Sequence, residues 1–308
     1  MNSKKIAVVV NPASANGATA KRWPEIQALM EKEGLFPAVF FTSGPGEATR
    51  LTRKALEEGY DLIVSAGGDG TANEVVNGFF GPQGIVREGA VAGFISMGTG
   101  GDLIKTLGIP KDPAEAVRHL IKSSCRPLDL GRVSYVRNDG VLDTRFFINV
   151  AGLGLDGDTV ARVNRTSKVL GGFVSFLWGT VVSLLLYQNQ PMTISVDGKL
   201  ICDAPVTFVV VGNGRYFGGG MFIAPPAEMD DGWFEVIILN NLSKAALLAN
   251  LPKVYRGTHL GHPKITSLRG RKVEIESLGS ALLNLDGEQP GRAPVKIELL
   301  PRALQVQG

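Results

Sequence analysis

Leu62-Ile63-Val64-Ser65-Ala66-Gly67-Gly68-Asp69-Gly70-Thr71-Ala72-Asn73-Glu74-Val75-Val76-Asn77-Gly78 is the stretch on which the reading of this chain turns. An apolar strand-like run meets three glycines that enclose one aspartate, and a helical pattern follows. Glycines let main chain approach a ligand closely, and a helix N-terminus offers free N–H groups and the positive end of a dipole, so phosphate can sit there. A lone carboxylate beside polyphosphate would repel it, and Asp69 makes sense if it holds Mg²⁺, directly or through water, or a protonated partner. The combination implies a kinase that uses a nucleotide. The plain alternative is a structural turn in which Asp69 caps a helix.

Outward from that stretch, β-like runs at Ile6–Val10, Ala38–Phe41, Leu62–Ala66 and Ala90–Ile95 alternate with helical spacings. Trp23, Ile26, Leu29 and Met30 mark one helix, and Ala48, Leu51, Ala55 and Leu56 another. This alternation predicts an α/β domain, a parallel sheet with helices on both faces. Past Pro127 short β-like segments recur instead, at Arg145–Val150, Met192–Val196, Val206–Val211, Phe234–Leu239, Lys272–Ile275, Leu282–Leu285 and Val295–Leu299. Apart from 169–187 and Ser243–Leu251 few helical patterns interrupt them. They read as a mainly antiparallel β-sandwich, with the boundary near Arg126–Gly131. The length of 308 residues agrees with two domains, because single cores stop growing near ~250–300 residues.

Hydrophobic residues make up 44% and charged residues 20%, the balance of a soluble globular protein. Glycine, at 39 positions, is nearly twice the usual ~7% without any collagen-like period, which points to tight turns and ligand approaches. Two cysteines, Cys125 and Cys202, are too few for a disulfide framework, so a reducing cytoplasm is expected. The first apolar run is too short for a signal-peptide core. The uncharged segment 169–187, VLGGFVSFLWGTVVSLLLY, is long enough to span a bilayer if helical. Its glycines, Ser175, Thr180, Ser183 and flanking strands read instead as a buried helix, or as one that lines an apolar site or touches a membrane. A net charge of +3, with Arg162, Arg165 and Lys168 before that segment, suits peripheral contact with an anionic membrane. No nucleic-acid partner is expected, and a homodimer is left open.

No GxxxxGK[ST] is present, which excludes the P-loop class. Gly152-Leu153-Gly154-Leu155-Asp156-Gly157 matches GxGxxG, but no strand ending in an acidic residue follows about 20 positions later, so it is a poor dinucleotide fingerprint. His119, His259 and His262 are scattered and have no metal-ligand spacing.

Four stretches together carry a resemblance: GGDGTANEVVNGF at 67–79; Asn11-Pro12-Ala13-Ser14; Gly98-Thr99-Gly100-Gly101-Asp102 leading to Leu107-Gly108-Ile109-Pro110; and GNGRYFGGGM at 212–221 with APPAEMDDG at 224–232. The chain resembles the bacterial diacylglycerol kinase family, soluble lipid kinases related to sphingosine and ceramide kinases, over essentially its whole length. The resemblance implies an ATP-binding α/β domain at 1–128, joined by returning strands at 294–308, and a β-sandwich lipid-substrate domain at 129–293. It places ATP between the domains. Asn11 and Thr42 would lie near the nucleotide, the run Gly67, Gly68, Asp69, Gly70, Thr71, Ala72 and Asn73 would wrap the phosphates, and Thr99 would complete the pocket. Asp102 remains available, but Gly101 stands where the family often has asparagine, which removes one side-chain amide from the adenosine contact.

The resemblance also assigns a general base to the triplet Asp286-Gly287-Glu288; whether Asp286 or Glu288 faces the hydroxyl stays open, with Asp286 narrowly favoured. A structural Mg²⁺ would be held by the Asp231 carboxylate and the main-chain carbonyls of Glu228 and Trp233, although Asp230-Asp231-Gly232 equally fits a metal-free hairpin turn. Asp129 sits at the junction, where related enzymes carry an aspartate. The expected activity is an ATP- and Mg²⁺-dependent kinase for the free hydroxyl of diacylglycerol or a similar membrane lipid, working on the inner face of the membrane. The alternatives are a soluble-substrate kinase similar to NAD kinase, and a nucleotide or lipid sensor without activity.

Overall fold

The computed structural model describes residues 5–98, 100–165, 182, 186–279 and 281–308. Thr99 and almost all of the apolar segment 169–187 lie outside these residues. Among the described residues no helix is long and apolar enough to cross a membrane. The chain forms two compact units, Met1–Leu128 with Arg302–Gly308, and Asp129–Pro301.

The first unit runs β1 (Ile6–Val10), α1 (Ala18–Lys32), β2 (Ala38–Phe41), α2 (Glu47–Glu57), β3 (Leu62–Gly67) and α3 (Asp69–Gly78). A small hairpin of β4 (Phe80–Gly81) and β5 (Gly84–Ile85) follows, then β6 (Val91–Ser96), α4 (Asp102–Leu107) and α5 (Pro113–Lys122). Strand order is β2-β1-β3-β6, and each neighbouring pair is parallel. Gln305 and Val306 add a further parallel pairing to Val91 and Ala92. Strands buried on both faces read as unbroken apolar runs, which is why β1 and β3 show no polar alternation. Every residue of β3 is buried, and Val8, Val9, Ile63, Val64 and Phe94 form the middle of this core.

The second unit is built from β7 (Cys125–Arg137, entered from the first unit), β8 (Leu142–Phe147), β9 (Val150–Gly154), α6 (Leu155–Arg165), β10 (Gln190–Val196), β11 (Lys199–Gly212) and β12 (Phe234–Asn240). It continues through α7 (Lys244–Arg256), β13 (Ile265–Gly270), β14 (Lys272–Ser277), β15 (Leu282–Leu285) and the start of β16 (Glu288–Gln307). Pairing is antiparallel along β13-β12-β11-β10-β14-β16, and β9 links β11 to β15. β14 alternates Val273 and Ile275 inward with more exposed polar residues, the pattern of a sheet with one face packed on a core. The rings of Phe147 and Phe234 stack in that core with centroids 5.6 Å apart.

Three expectations need correction. The single run Arg145–Val150 divides at Ile148-Asn149 into β8 and β9. The helix read as Ser243–Leu251 is capped by the Ser243 hydroxyl and continues through Pro252 to Arg256. The chain rejoins the first unit at Arg302, not at 294, because Val295–Glu298 are still paired with β14.

Gly131 stands opposite Phe147 in the β7–β8 ladder, and a Cβ there would fall 1.8 Å from the Phe147 ring. Gly131→Ala should therefore lower stability by about 1–3 kcal/mol through overpacking, read as a lower urea midpoint at unchanged slope.

Candidate active site

In the first unit Asn11, Thr42, Gly67 and Met97 all stand at or just beyond the carboxyl ends of parallel strands. The order β2-β1-β3-β6 reverses direction between β1 and β3, the position where open α/β sheets bind ligands. Asn11 ends β1, and its Nδ2 donates to the Thr71 hydroxyl of α3 at 3.0 Å, while its Oδ1 accepts from the Ala13 N–H at 3.1 Å. Thr42 is buried at the end of β2 and donates its N–H to the Val10 carbonyl at 2.9 Å. The glycines between β3 and α3 are needed for different reasons. A Cβ on Gly67 would collide with the Thr71 side chain at 2.5 Å, whereas one on Gly68 would meet nothing nearer than the Gly98 Cα at 3.7 Å.

Asp69 opens α3, and its two carboxylate oxygens accept the N–H groups of Asp102 at 3.2 Å and Leu103 at 3.4 Å. It thus caps α4, a neighbouring helix, and uses two of roughly four acceptor positions; the others suit a hard cation. Gly101 precedes α4 with φ of 64°, a left-handed conformation that explains glycine at that place. Asp102 is buried and lies 3.5 Å from the Lys105 ammonium. Ala72 and Asn73 are buried within α3, and the Asn73 Oδ1 accepts from Asn77 at 3.1 Å. Glu74, which the sequence reading gave no role, accepts the N–H groups of Gly46 at 2.8 Å and Ala48 at 3.0 Å and so caps α2. The signal for it was the absence of any Ser, Thr, Asp or Asn at the Gly46 cap position.

In the second unit Asp286 is buried in the two-residue turn between β15 and β16, where Leu285 pairs with Glu288. Asp286 and Gly287 have φ of 48° and 91°, the positive pair a two-residue hairpin turn requires, and Asp-Gly is its strongest sequence signal. The Asp286 carboxylate accepts three main-chain N–H groups, from Ile148 at 2.9 Å, Asn149 at 3.0 Å and Val150 at 2.8 Å. These are the residues at the break between β8 and β9. Glu288 is half-buried and paired with Arg145 at 2.9 Å. Asn213 lies beside this cradle and is fully buried. Its Nδ2 donates to the carbonyls of Asp129 at 2.9 Å and Ile148 at 2.7 Å.

Asp129 in turn accepts the Gly232 N–H at 2.7 Å, which fastens the loop of Glu228, Asp231 and Trp233. Asp231 accepts the Trp233 N–H at 2.9 Å and lies 3.2 Å from the Arg269 guanidinium. Arg271 covers the Trp233 ring at 4.2 Å. Among the described residues no three His, Cys, Asp or Glu side chains are grouped to hold a metal. One carboxylate with two main-chain carbonyls remains a hard-oxygen set of the kind Mg²⁺ takes, and Arg269 provides a countercharge to Asp231.

The model of the diacylglycerol kinase catalytic domain matches residues 5–133, and that of the YegS C-terminal NAD kinase beta sandwich-like domain matches residues 149–308. The chain belongs to the diacylglycerol kinase family. Curated proteins named diacylglycerol kinase from Staphylococcus carnosus (strain TM300) and Staphylococcus aureus (strain bovine RF122 / ET3-1) are each 29% identical to it. Both alignments cover 98% of this chain, and 94% and 92% of the respective relatives. In fold it is similar to a crystal structure of a diacylglycerol kinase from Bacillus anthracis, with a TM-score of 0.70 at 21% identity, covering 99% of this chain and 97% of that one. Yeast NADH kinase complexed with NADH is more distant, with a TM-score of 0.51 at 12% identity, covering 99% of this chain and 83% of that one.

Beyond the family's motifs, the second unit of this diacylglycerol kinase relative contains an apolar cavity of about 90 Å³ that opens to solvent. Leu155, Phe208, Phe217, Met221, Leu251 and Val254 contribute to its wall, and among the described residues Asp156, Thr159, His259 and His262 are its ionisable or hydroxyl groups. Burial holds the His259 imidazole below its ordinary range, and His259 contacts the Ile223 carbonyl at 3.0 Å. Burial likewise pushes the Asp156 carboxyl up from 3.8 to about 6, and a hydrogen bond from Asn284 opposes that rise. Asp156 falls at a variable position of the GxGxxG match and had no role there; its pairing with Asn284 spans 128 positions.

Because folding raises this pKa, the folded state holds the Asp156 proton more tightly than the unfolded chain. Stability is therefore lost as pH rises from about 4 to about 6, and the loss persists above it, on the order of 2–3 kcal/mol. Asp156→Asn keeps an acceptor for Asn284 and removes the charge. Its stability relative to wild type should improve by about that amount between pH 4 and pH 7 in urea unfolding; a pH-independent difference would show that Asp156 is not desolvated.

Proposed function

We propose that the protein is an ATP- and Mg²⁺-dependent lipid kinase that phosphorylates the free hydroxyl of diacylglycerol or a similar membrane lipid from the cytoplasmic face. The observation that carries the lipid part is the apolar cavity, which belongs to the same unit as the Asp286 turn. A cavity with so few polar groups suits hydrocarbon, and burial of acyl CH₂ groups is favourable by about 0.8 kcal/mol each. The nucleotide part is supported by the glycine turn at the switch point between β1 and β3, where Gly68 leaves its approach open.

ATP with Mg²⁺ would supply the phosphoryl group and neutralise the charge that develops as it leaves. Gly67 to Asn73 would offer main-chain N–H groups at the start of α3, Asn11 and Thr42 would border the nucleotide, and Asp69 would hold the cation. Asp286 is the favoured acceptor of the lipid hydroxyl's proton, since three main-chain donors fix its orientation whereas Glu288 is engaged by Arg145. The loop of Glu228, Asp231 and Trp233 is assigned a structural Mg²⁺. Reversible attachment to an anionic bilayer would bring the cavity to its substrate.

Incubation with radiolabelled ATP, Mg²⁺ and mixed lipid vesicles should yield a labelled lipid in the organic extract. No labelled product across diacylglycerol, phosphatidylglycerol and sphingoid substrates would remove this reading, and phosphorylation of NAD instead would establish a soluble acceptor. Asp286→Asn should abolish transfer while ATP binding survives, and unchanged turnover would move the base to Glu288.

A further inference from the structure

Asp156 is a buried acid on an apolar wall, and its hydrogen-bonding side chain is Asn284, which donates Nδ2 to the Asp156 Oδ2 at 2.8 Å. A desolvated carboxylate with a neutral partner does not favour the fold. Its position is nevertheless closely prepared. A Cβ on Gly152 would lie 1.9 Å from the Asp156 Oδ2, so the carboxylate occupies the space that the missing side chain leaves on β9. Gly152 is also the register partner of Asn284 on β15.

The other end of Asn284 reaches the turn that bears Asp286. Its Oδ1 accepts the Gly287 N–H at 2.8 Å. An asparagine amide can present either end to a neighbour, and only one orientation serves Gly287, whose N–H needs an acceptor. An ionised carboxylate accepts and never donates, so it selects the Nδ2 end of Asn284 and leaves the Oδ1 end for Gly287. The residue before Gly287 is Asp286, whose φ of 48° is the left-handed conformation that the two-residue turn requires.

We infer that Asn284, oriented by Asp156, is the positioning residue that holds the Asp286–Gly287 turn and thereby aims the Asp286 carboxylate. The inference rests on the proposed kinase reading for its activity readout alone. Neither Asp156 nor Asn284 is required to touch substrate. The wall of the apolar cavity and the candidate base are joined through two hydrogen bonds, so a change at Asp156 should be felt in turnover more than in nucleotide affinity.

The test compares Asp156→Asn, Asn284→Ala, Asn284→Asp and the exchanged pair Asp156→Asn with Asn284→Asp, in the full chain with diacylglycerol vesicles. Asn284→Ala should lower kcat by about 10²-fold with KM for ATP little changed, the scale of a displaced catalytic group. Asn284→Asp alone puts two acceptors together and should be comparably slow. The exchanged pair restores one donor and one acceptor between the two positions and leaves an acceptor for Gly287, so it should recover at least about tenfold of that loss, a difference of about 1.4 kcal/mol in the barrier. Asp156→Asn should be slower than wild type although it is more stable at neutral pH, a combination that a merely structural role would not produce.

Turnover of Asn284→Ala within about threefold of wild type, or an exchanged pair no faster than Asn284→Asp alone, would overturn the inference. If wild type transfers no phosphate to any lipid, the kinase reading fails separately. Amide hydrogen exchange at Gly287 then decides: faster exchange in Asn284→Ala, reversed in the exchanged pair, supports the positioning role, and unchanged exchange overturns it.

Discussion

Three adjacent main-chain N–H groups, those of Ile148, Asn149 and Val150, converge on one carboxylate, and the middle of the second unit depends on that convergence. Buried N–H groups without acceptors are costly, at about 1–3 kcal/mol each. A strand that broke at Ile148-Asn149 with nothing to receive them would not persist. Asp286 receives all three, and its own N–H returns to the Val150 carbonyl at 3.0 Å, so the hairpin turn and the strand break support each other. Placing a carboxylate there also removes its freedom to rotate. The same residue therefore has a structural role, and Asn213 extends the arrangement by tying Ile148 to Asp129 and so to the loop of Asp231.

The first unit solves a related problem in another way. Helices α2 and α4 both begin after a left-handed glycine, Gly46 and Gly101, which has no side chain to cap the free N–H groups. Both caps come from one helix, α3, whose Asp69 reaches α4 and whose Glu74 reaches α2. Negative charge at those two N-termini also answers the positive ends of their dipoles. The glycine turn is consequently fixed from both sides by its own acidic residues.

Local chemistry made much of this legible in advance. Unbroken apolar runs announced parallel strands, and the change of pattern past Pro127 announced the antiparallel unit. What could not be read was long-range. The thirteen-residue β7 and the strand β13 interleave too many polar residues to stand out; in β13 three of six residues are exposed, and in β7 charged or polar residues stand among the buried ones. The division of Arg145–Val150 was invisible because Ile148 and Val150 are apolar whether their N–H groups enter a ladder or turn to Asp286. Glu74 and Asp156 resemble ordinary helix acids, and only the fold shows that one caps a second helix and the other is enclosed in apolar surroundings.

Glycine motifs illustrate the same limit and a way past it. Gly152 and Gly157 belong to a GxGxxG pattern, yet a Cβ on Gly152 would strike Asp156 at 1.9 Å and one on Gly157 would strike the Leu282 carbonyl at 2.0 Å. Their lack of a side chain is used up by the protein itself, to pack α6 against β9 and β15, and no space remains for a pyrophosphate to claim. Gly68 is different, for among the described residues its missing Cβ borders no side chain and meets only the Gly98 Cα at 3.7 Å. What fills the absent side chain's place separates a glycine kept for packing from one with open space beside it, and among the described residues Gly152 and Gly157 are of the first kind and Gly68 of the second.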